Sequence, residues 1–255
     1  MTDPRRRAGP DECNDSLPAD RAYSSRARGT LVMLRHGHTT WNDESRFTGW
    51  ADPPLNERGV REALRAGDVI AAAGLNVSVV FTSRVARALD TATIVMSTDQ
   101  DVPVEWQNDW RLNERHFGLL QGLDRATAIA RYGRDSVRHW KHDRNADPPA
   151  VPEYDERHPR HDQRYGDVPP ESLPGAESIA DHERRVLACW FEAIEPRLEG
   201  GEDVLVVGHC HSLRALARFT SADPGCATDS LFAQTGGAVM TRAPGLFIAL
   251  EIDHT

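Results

Sequence analysis

The chain has 255 residues, 27% charged and 39% hydrophobic, an ordinary globular composition and enough length for one large α/β domain. A formal net charge of -9 argues against nonspecific binding to nucleic acid, and no apolar run is long enough to span a membrane. Cys13, Cys189, Cys210 and Cys226 show neither a Cys-x-x-Cys pair nor disulfide-framework spacing, so free thiols in a reducing cytoplasm are expected.

Residues 1–29 carry Arg, Asp, Pro and Ser with almost no apolar periodicity, and read as a disordered extension. They hold no apolar segment of the signal-peptide kind, and Asp3, Asp11, Glu12, Asp15 and Asp20 count against a transit peptide despite Arg5-Arg6-Arg7. Leu31-Val32-Met33-Leu34 then reads as a buried parallel strand, ending in Arg35-His36-Gly37. Asn56 is placed to cap a helix over residues 56–73, which ends at Gly74 and carries Val60, Ala63, Leu64, Gly67, Ile70 and Ala71 on its expected core face. Residues 77–81 read as a second strand, Thr82-Ser83 as a helix entry, and Arg87 as lying about one turn inside that helix. Repeated prolines forbid regular structure over residues 143–174, which leaves an ordered lid or a mobile loop. An amphipathic helix is expected over residues 177–198, burying Ile179, Val186, Trp190 and Ile194. A further strand, Val204-Leu205-Val206-Val207, ends in Gly208-His209-Cys210-His211, with Ser212 as the cap of a helix that buries Leu213, Leu216 and Ala217. Neither an internal repeat nor a low-complexity array is present.

Open α/β sheets bind ligands at the carboxyl ends of their strands, and two of these strands end in histidine while a third leads to Arg87. A neutral imidazole is a competent nucleophile at physiological pH, and adjacent guanidinium charge disfavours its protonation while attracting a phosphoryl group. The residues alone therefore point to chemistry at phosphorus, with His36 as the attacking group.

Arg35-His36-Gly37 with Thr40-Trp41-Asn42, Arg46-Phe47-Thr48-Gly49-Trp50, Thr82-Ser83 with Arg87-Ala88, Leu112-Asn113-Glu114-Arg115-His116-Phe117-Gly118, Leu120-Gln121-Gly122, and His209 with Ser212-Leu213-Arg214-Ala215-Leu216 together resemble the histidine phosphatase superfamily. The Phe-Thr-Gly-Trp and Asn-Glu-Arg-His stretches narrow the resemblance to the cofactor-dependent phosphoglycerate mutases, as does the long segment rich in Pro, His and Asp at residues 140–178. The resemblance implies a three-layer α/β fold, its mostly parallel central sheet flanked by helices, forming one catalytic domain over residues 30–255. It makes His36 the phosphate-accepting nucleophile, Arg35, Arg87 and His209 the pocket for the transferred group, and Glu114 the proton donor and acceptor. Asn42, Thr48, Gly49, Arg125, Lys141, His142 and His211 take substrate-binding positions, with Gly49 allowing close backbone approach. Trp41 and Trp50 read as wall and core. The implied reaction interconverts 3-phosphoglycerate and 2-phosphoglycerate with 2,3-bisphosphoglycerate as primer and no metal. The implied partner is a small phosphorylated substrate, with neither nucleic acid nor membrane, and assembly into a homo-oligomer stays open.

Several positions depart from the family's pattern. His38 stands where glutamate is usual, Cys210-His211 where mutases have Gly-Asn, Phe117 for a tyrosine, Arg125 for a lysine, and Lys141-His142 for paired arginines. A second expectation follows from His36-Gly37-His38 and His209-Cys210-His211: residues two apart on an extended chain share a face, so these imidazoles could hold zinc or copper. The Arg35 and Arg87 charges oppose a cation there, and neither triplet has a flanking carboxylate. A phosphatase acting on another small phosphoester, and a phosphate-binding protein without turnover, are the alternatives.

Overall fold

The computed structural model describes residues 29–97, 103–220, 238–243 and 246–251, with side chains described as far as Thr220. The expected extension at residues 1–29 therefore lies, except for Gly29, outside the described residues.

A six-stranded sheet in the order β3-β2-β4-β1-β5-β6 forms the centre. The strands are β1 (Leu31–Arg35), β2 (Val77–Thr82), β3 (Glu105–Asn108), β4 (Asp203–Gly208), β5 (Ala238–Ala243) and β6 (Leu246–Glu251). β1 to β4 run parallel, β5 lies antiparallel beside β1, and β6 pairs antiparallel with β5. The fold is α/β, a mostly parallel sheet between two helical layers.

Apolar side chains sort to both faces, as a parallel sheet covered on both sides requires. Leu31, Met33, Phe81, Val204 and Val206 pack under α6 (Ile179–Cys189), α7 (Glu195–Glu199) and α8 (Cys210–Thr220). Val32, Leu34, Val80, Leu205 and Val207 pack under α2 (Glu57–Ala72) and α3 (Ala86–Met96). Each fully buried Leu or Val is worth about 1.5–3 kcal/mol relative to leaving it exposed. A register shift between Val77 and Val79 turns these two residues to opposite layers.

Asn56 caps α2, accepting from the Gly59 N–H at 2.9 Å, and Gly74 follows the helix at φ 65°. The buried face differs from the expected one. Gly59, Glu62, Ala63, Ala66, Gly67 and Ile70 are inside, whereas Val60 and Leu64 are 38% and 42% exposed and Ala71 is exposed. The helix is rotated so that Glu62 can accept the His38 N–H at 2.9 Å, and Gly59 and Gly37 let the two backbones touch. A buried carboxylate with a partner thus outweighs the exposure of two aliphatic side chains.

The expected helix over residues 177–198 is present as α6, a π-turn over Trp190–Ile194, and α7. The π-turn ends two residues before Pro196, which has no N–H to give the helix ladder. Val186, Trp190 and Ile194 are buried while Ile179 is half-buried. Residues 143–174 adopt the ordered alternative. Three short 3-10 turns, at Pro159–His161, Gln163–Tyr165 and Pro170–Ser172, carry Tyr165, Val168 and Leu173 onto Trp50.

Candidate active site

Strand register sets the centre of the site. Arg35 lies opposite Gly208 on parallel neighbours and Thr82 opposite Val207, so the residues that follow leave the sheet side by side. The His36 N–H donates to the Gly208 carbonyl at 3.0 Å, and the His36 and His209 rings stand 5.1 Å apart. Ser83, just past β2, reaches His209 Nε2 at 2.8 Å.

Ring nitrogens can be assigned from what surrounds them. His36 Nδ1 is 2.8 Å from the Gly37 carbonyl, which can only accept, so Nδ1 carries the proton and Nε2 keeps its lone pair. Burial, reinforced by the Arg87 and Arg35 charges, holds the His36 imidazole well below the usual histidine range and so neutral at physiological pH. His209 is fully buried and is held low in the same way, by burial and then by Arg87. Its Nδ1 faces Arg87 Nη2 at 3.3 Å, a group that can only donate, so Nε2–H is directed to Ser83 Oγ.

Arg87 is the second residue of α3, in its first turn rather than a turn inside, because β2 runs on to Thr82 and Asp52 accepts the helix's leading N–H at Ala86. Its guanidinium is 1% exposed and donates to the Ala51 and Gly49 carbonyls at 2.7 and 2.8 Å. Burial lowers it to about 10, with Asp52 at 3.9 Å opposing the shift, so it is charged at neutral pH. Gly49 sits at φ 53°, in the left-handed region that favours glycine.

Glu114 follows a 3-10 turn over Trp110–Leu112 that carries the chain from β3 across the strand ends. Trp50 Nε1 donates to its carbonyl at 2.7 Å, and the Arg115 N–H donates to its Oε1 at 2.7 Å. The same Oε1 lies 2.9 Å from His211 Nδ1. That approach is close but poorly directed for a hydrogen bond. Burial alone would raise the Glu114 carboxyl, but the neighbouring His211 outweighs it and holds Glu114 well below the usual range.

These groups open onto one cavity of about 770 Å³. Its lining includes Arg35, His36, Asn42, Thr48, Gly49, Arg87, Glu114, Arg125, Lys141, His142 and His211, so every expected site residue except His209 reaches it. His209 stands behind the wall, against Arg87 and His36. Asn42 Oδ1 is taken by the Thr39 backbone and hydroxyl, which leaves its Nδ2 toward a ligand. Trp41 is part of the wall, and Trp50, 5% exposed, belongs to the core. Phe117 lines the cavity in the place of the tyrosine hydroxyl.

His38 does not join this group. The chain turns after His36, and His38 Nε2 meets Asp43 at 2.7 Å, so the two His-x-His triplets do not converge. Among the described residues no three His, Cys, Asp or Glu side chains are grouped as a metal ion would need. Ser212 is also not the cap of α8, which begins at Cys210. Ser212 Oγ instead reaches back from the first turn to accept the His209 N–H at 3.1 Å.

Arg46, Arg134, Arg138 and Arg214 line the cavity without having been marked as binding residues. Arg134, Arg138 and Lys141 recur at helical spacing, a signal for one face of α5 (Arg134–His142). Seven arginines and one lysine line the cavity against one carboxylate, which suits a ligand with several anionic groups. Among the described residues no helix is long and apolar enough to cross a membrane.

The sequence model of the histidine phosphatase superfamily (branch 1) matches residues 31–156 and 150–229. A 2,3-bisphosphoglycerate-dependent phosphoglycerate mutase of Nitratidesulfovibrio vulgaris (strain Hildenborough) is 46% identical over 186 residues, covering 73% of this chain and 74% of that protein. Among solved structures, YhfR of Bacillus stearothermophilus superposes with a TM-score of 0.61 at 28% identity, covering 87% of this chain and 95% of that one. A mycobacterial glucosyl-3-phosphoglycerate phosphatase, solved with VO3, gives 0.58 at 28% identity, covering 84% and 92%.

Proposed function

We propose that this chain, which belongs to the histidine phosphatase superfamily and within it to the 2,3-bisphosphoglycerate-dependent phosphoglycerate mutases, interconverts 3-phosphoglycerate and 2-phosphoglycerate through a phosphorylated His36. One observation carries this reading: a neutral imidazole with Nε2 unprotonated shares a cavity with Arg35, Arg87 and an ionised Glu114. Phosphoryl transfer demands positioning and charge stabilisation more than covalent chemistry, and these groups supply both without metal.

In the forward step Glu114, ionised at rest, first takes up a proton from solvent; His36 Nε2 then attacks phosphorus, the bond from phosphorus to the substrate oxygen breaks, and Glu114 delivers that proton to the oxygen. In the return step Glu114 takes the proton of the incoming hydroxyl, which then attacks the phosphoryl group on His36. Arg35 and Arg87 hold the equatorial oxygens, while buried His209 keeps the Arg87 guanidinium and the His36 ring in place. The cation-rich lining fits 2,3-bisphosphoglycerate, with Arg125, Lys141, His142 and Asn42 as the residues to hold its remaining anionic groups. When bound, that primer supplies the phosphoryl group that His36 first accepts. The same reading assigns residues 30–255 to one catalytic domain, working in the cytoplasm on a small phosphorylated substrate.

Hydrolysis is the second reading, favoured by His211. By holding Glu114 ionised, it leaves a carboxylate able to activate water as well as a substrate hydroxyl. Phosphorus NMR of the protein with 3-phosphoglycerate and a trace of 2,3-bisphosphoglycerate separates the two. Growth of the 2-phosphoglycerate signal supports the mutase, inorganic phosphate alone supports the phosphatase, and no change rejects both.

A further inference from the structure

The far wall of the cavity is built by a helical hairpin. Asp124 caps α4 (Arg125–Tyr132), Gly133 at φ 84° makes the turn, and α5 returns. Ala128 and Val137 anchor the hairpin against Phe117 and Leu120. Those apolar contacts fix which side of α5 faces the cavity, and that side carries Arg134, Arg138 and Lys141 over about 10 Å of helix. The only acidic residue of α5, Asp135, is absent from the lining.

Several arginines elsewhere in this acidic chain are matched with carboxylates. Arg144 pairs with Glu183, Arg157 with Asp155, Arg164 with Asp162 and Arg84 with Asp167. Arg134 and Arg138 have no carboxylate partner among the described residues and stand four residues apart, a like-charge spacing that disfavours the helix. An anion in the cavity relieves that repulsion. The reacting end of the cavity already has Arg35 and Arg87, and Arg125 and Lys141 suffice for the second anionic group of a three-carbon phosphoester.

We propose that Arg134 and Arg138 form an outer anion subsite, and that it takes the remote phosphate or carboxylate of a phosphoester longer than phosphoglycerate. The assignment rests on His36 marking the phosphoryl end of the cavity. It extends the ligand class from three-carbon phosphates to elongated polyanionic phosphoesters.

Titration calorimetry at fixed ionic strength with inorganic phosphate, diphosphate and tripolyphosphate tests this without turnover, so a failure of the mutase reaction does not bear on the result. The wild-type protein should bind tripolyphosphate about tenfold more tightly than phosphate, on the scale of a charge-assisted hydrogen bond. The double variant Arg134→Ala/Arg138→Ala should lose most of that gain and keep its affinity for phosphate. Arg131→Ala removes a nearby exposed charge that does not line the cavity, and should keep the gain. Equal affinity at every length, including no measurable binding, overturns the subsite. So does a gain that survives the double variant or is equally lost in Arg131→Ala.

Discussion

Replacing His211 by asparagine removes the imidazole that stands 2.9 Å from Glu114 Oε1 while keeping a polar side chain of similar reach. At that distance a charged pair attracts by about 6 kcal/mol if the effective dielectric constant is about 20. The His211 side chain is 25% exposed, so solvent screens part of this, and a charged contact of this kind retains about 2 kcal/mol. That is roughly a 30-fold change in the balance between ionised and protonated Glu114. The sign follows from the shift. Glu114 is held low and is ionised throughout the neutral range, so losing the imidazole lets burial push its pKa upward. The pH profile of kcat/KM, which reports ionisations of the free enzyme and substrate, should then show its acidic limb at higher pH in His211→Asn than in the parent. Superimposable acidic limbs would mean that His211 does not govern Glu114, and the reasoning fails.

Two further outcomes test the framework. Arg87→Ala strips the Gly49 and Ala51 carbonyls of a buried charged donor and should cost about 3–5 kcal/mol in urea unfolding, a loss near zero placing Arg87 outside the framework. Gly59→Ala sets helix propensity, which favours alanine by about 1 kcal/mol, against a Cβ that would lie 2.2 Å from the His38 carbonyl oxygen. Overpacking should win with a net loss of about 1–2 kcal/mol and reduced turnover, and a stabilised variant would show that the His36 loop yields freely.

The strand-end histidines were legible because short apolar runs announce β1 and β4, and a parallel register places their carboxyl ends together. β3 was not legible. Its Glu105, Trp106, Gln107 and Asn108 form an exposed edge strand whose pairing comes from β2 and leaves no apolar alternation to read. The α2 face was misread for a tertiary reason, since the backbone contact at Gly37 and Gly59 outweighs local periodicity. His38 misled because two-residue spacing implies a common face only while the chain stays extended, and it turns after His36. Helical spacing marks Arg134 and Arg138 as one face, but only the packing of Val137 on Phe117 says which cavity that face meets.

The account turns on His36 as the attacking group. Its most direct test is to incubate the protein with 2,3-bisphosphoglycerate, quench in base, and map any phosphoryl group by mass spectrometry. An acid-labile, base-stable phosphoryl group on His36, absent from His36→Ala, is the predicted result. A phosphoryl group carried by another residue, or one that survives His36→Ala, would contradict it.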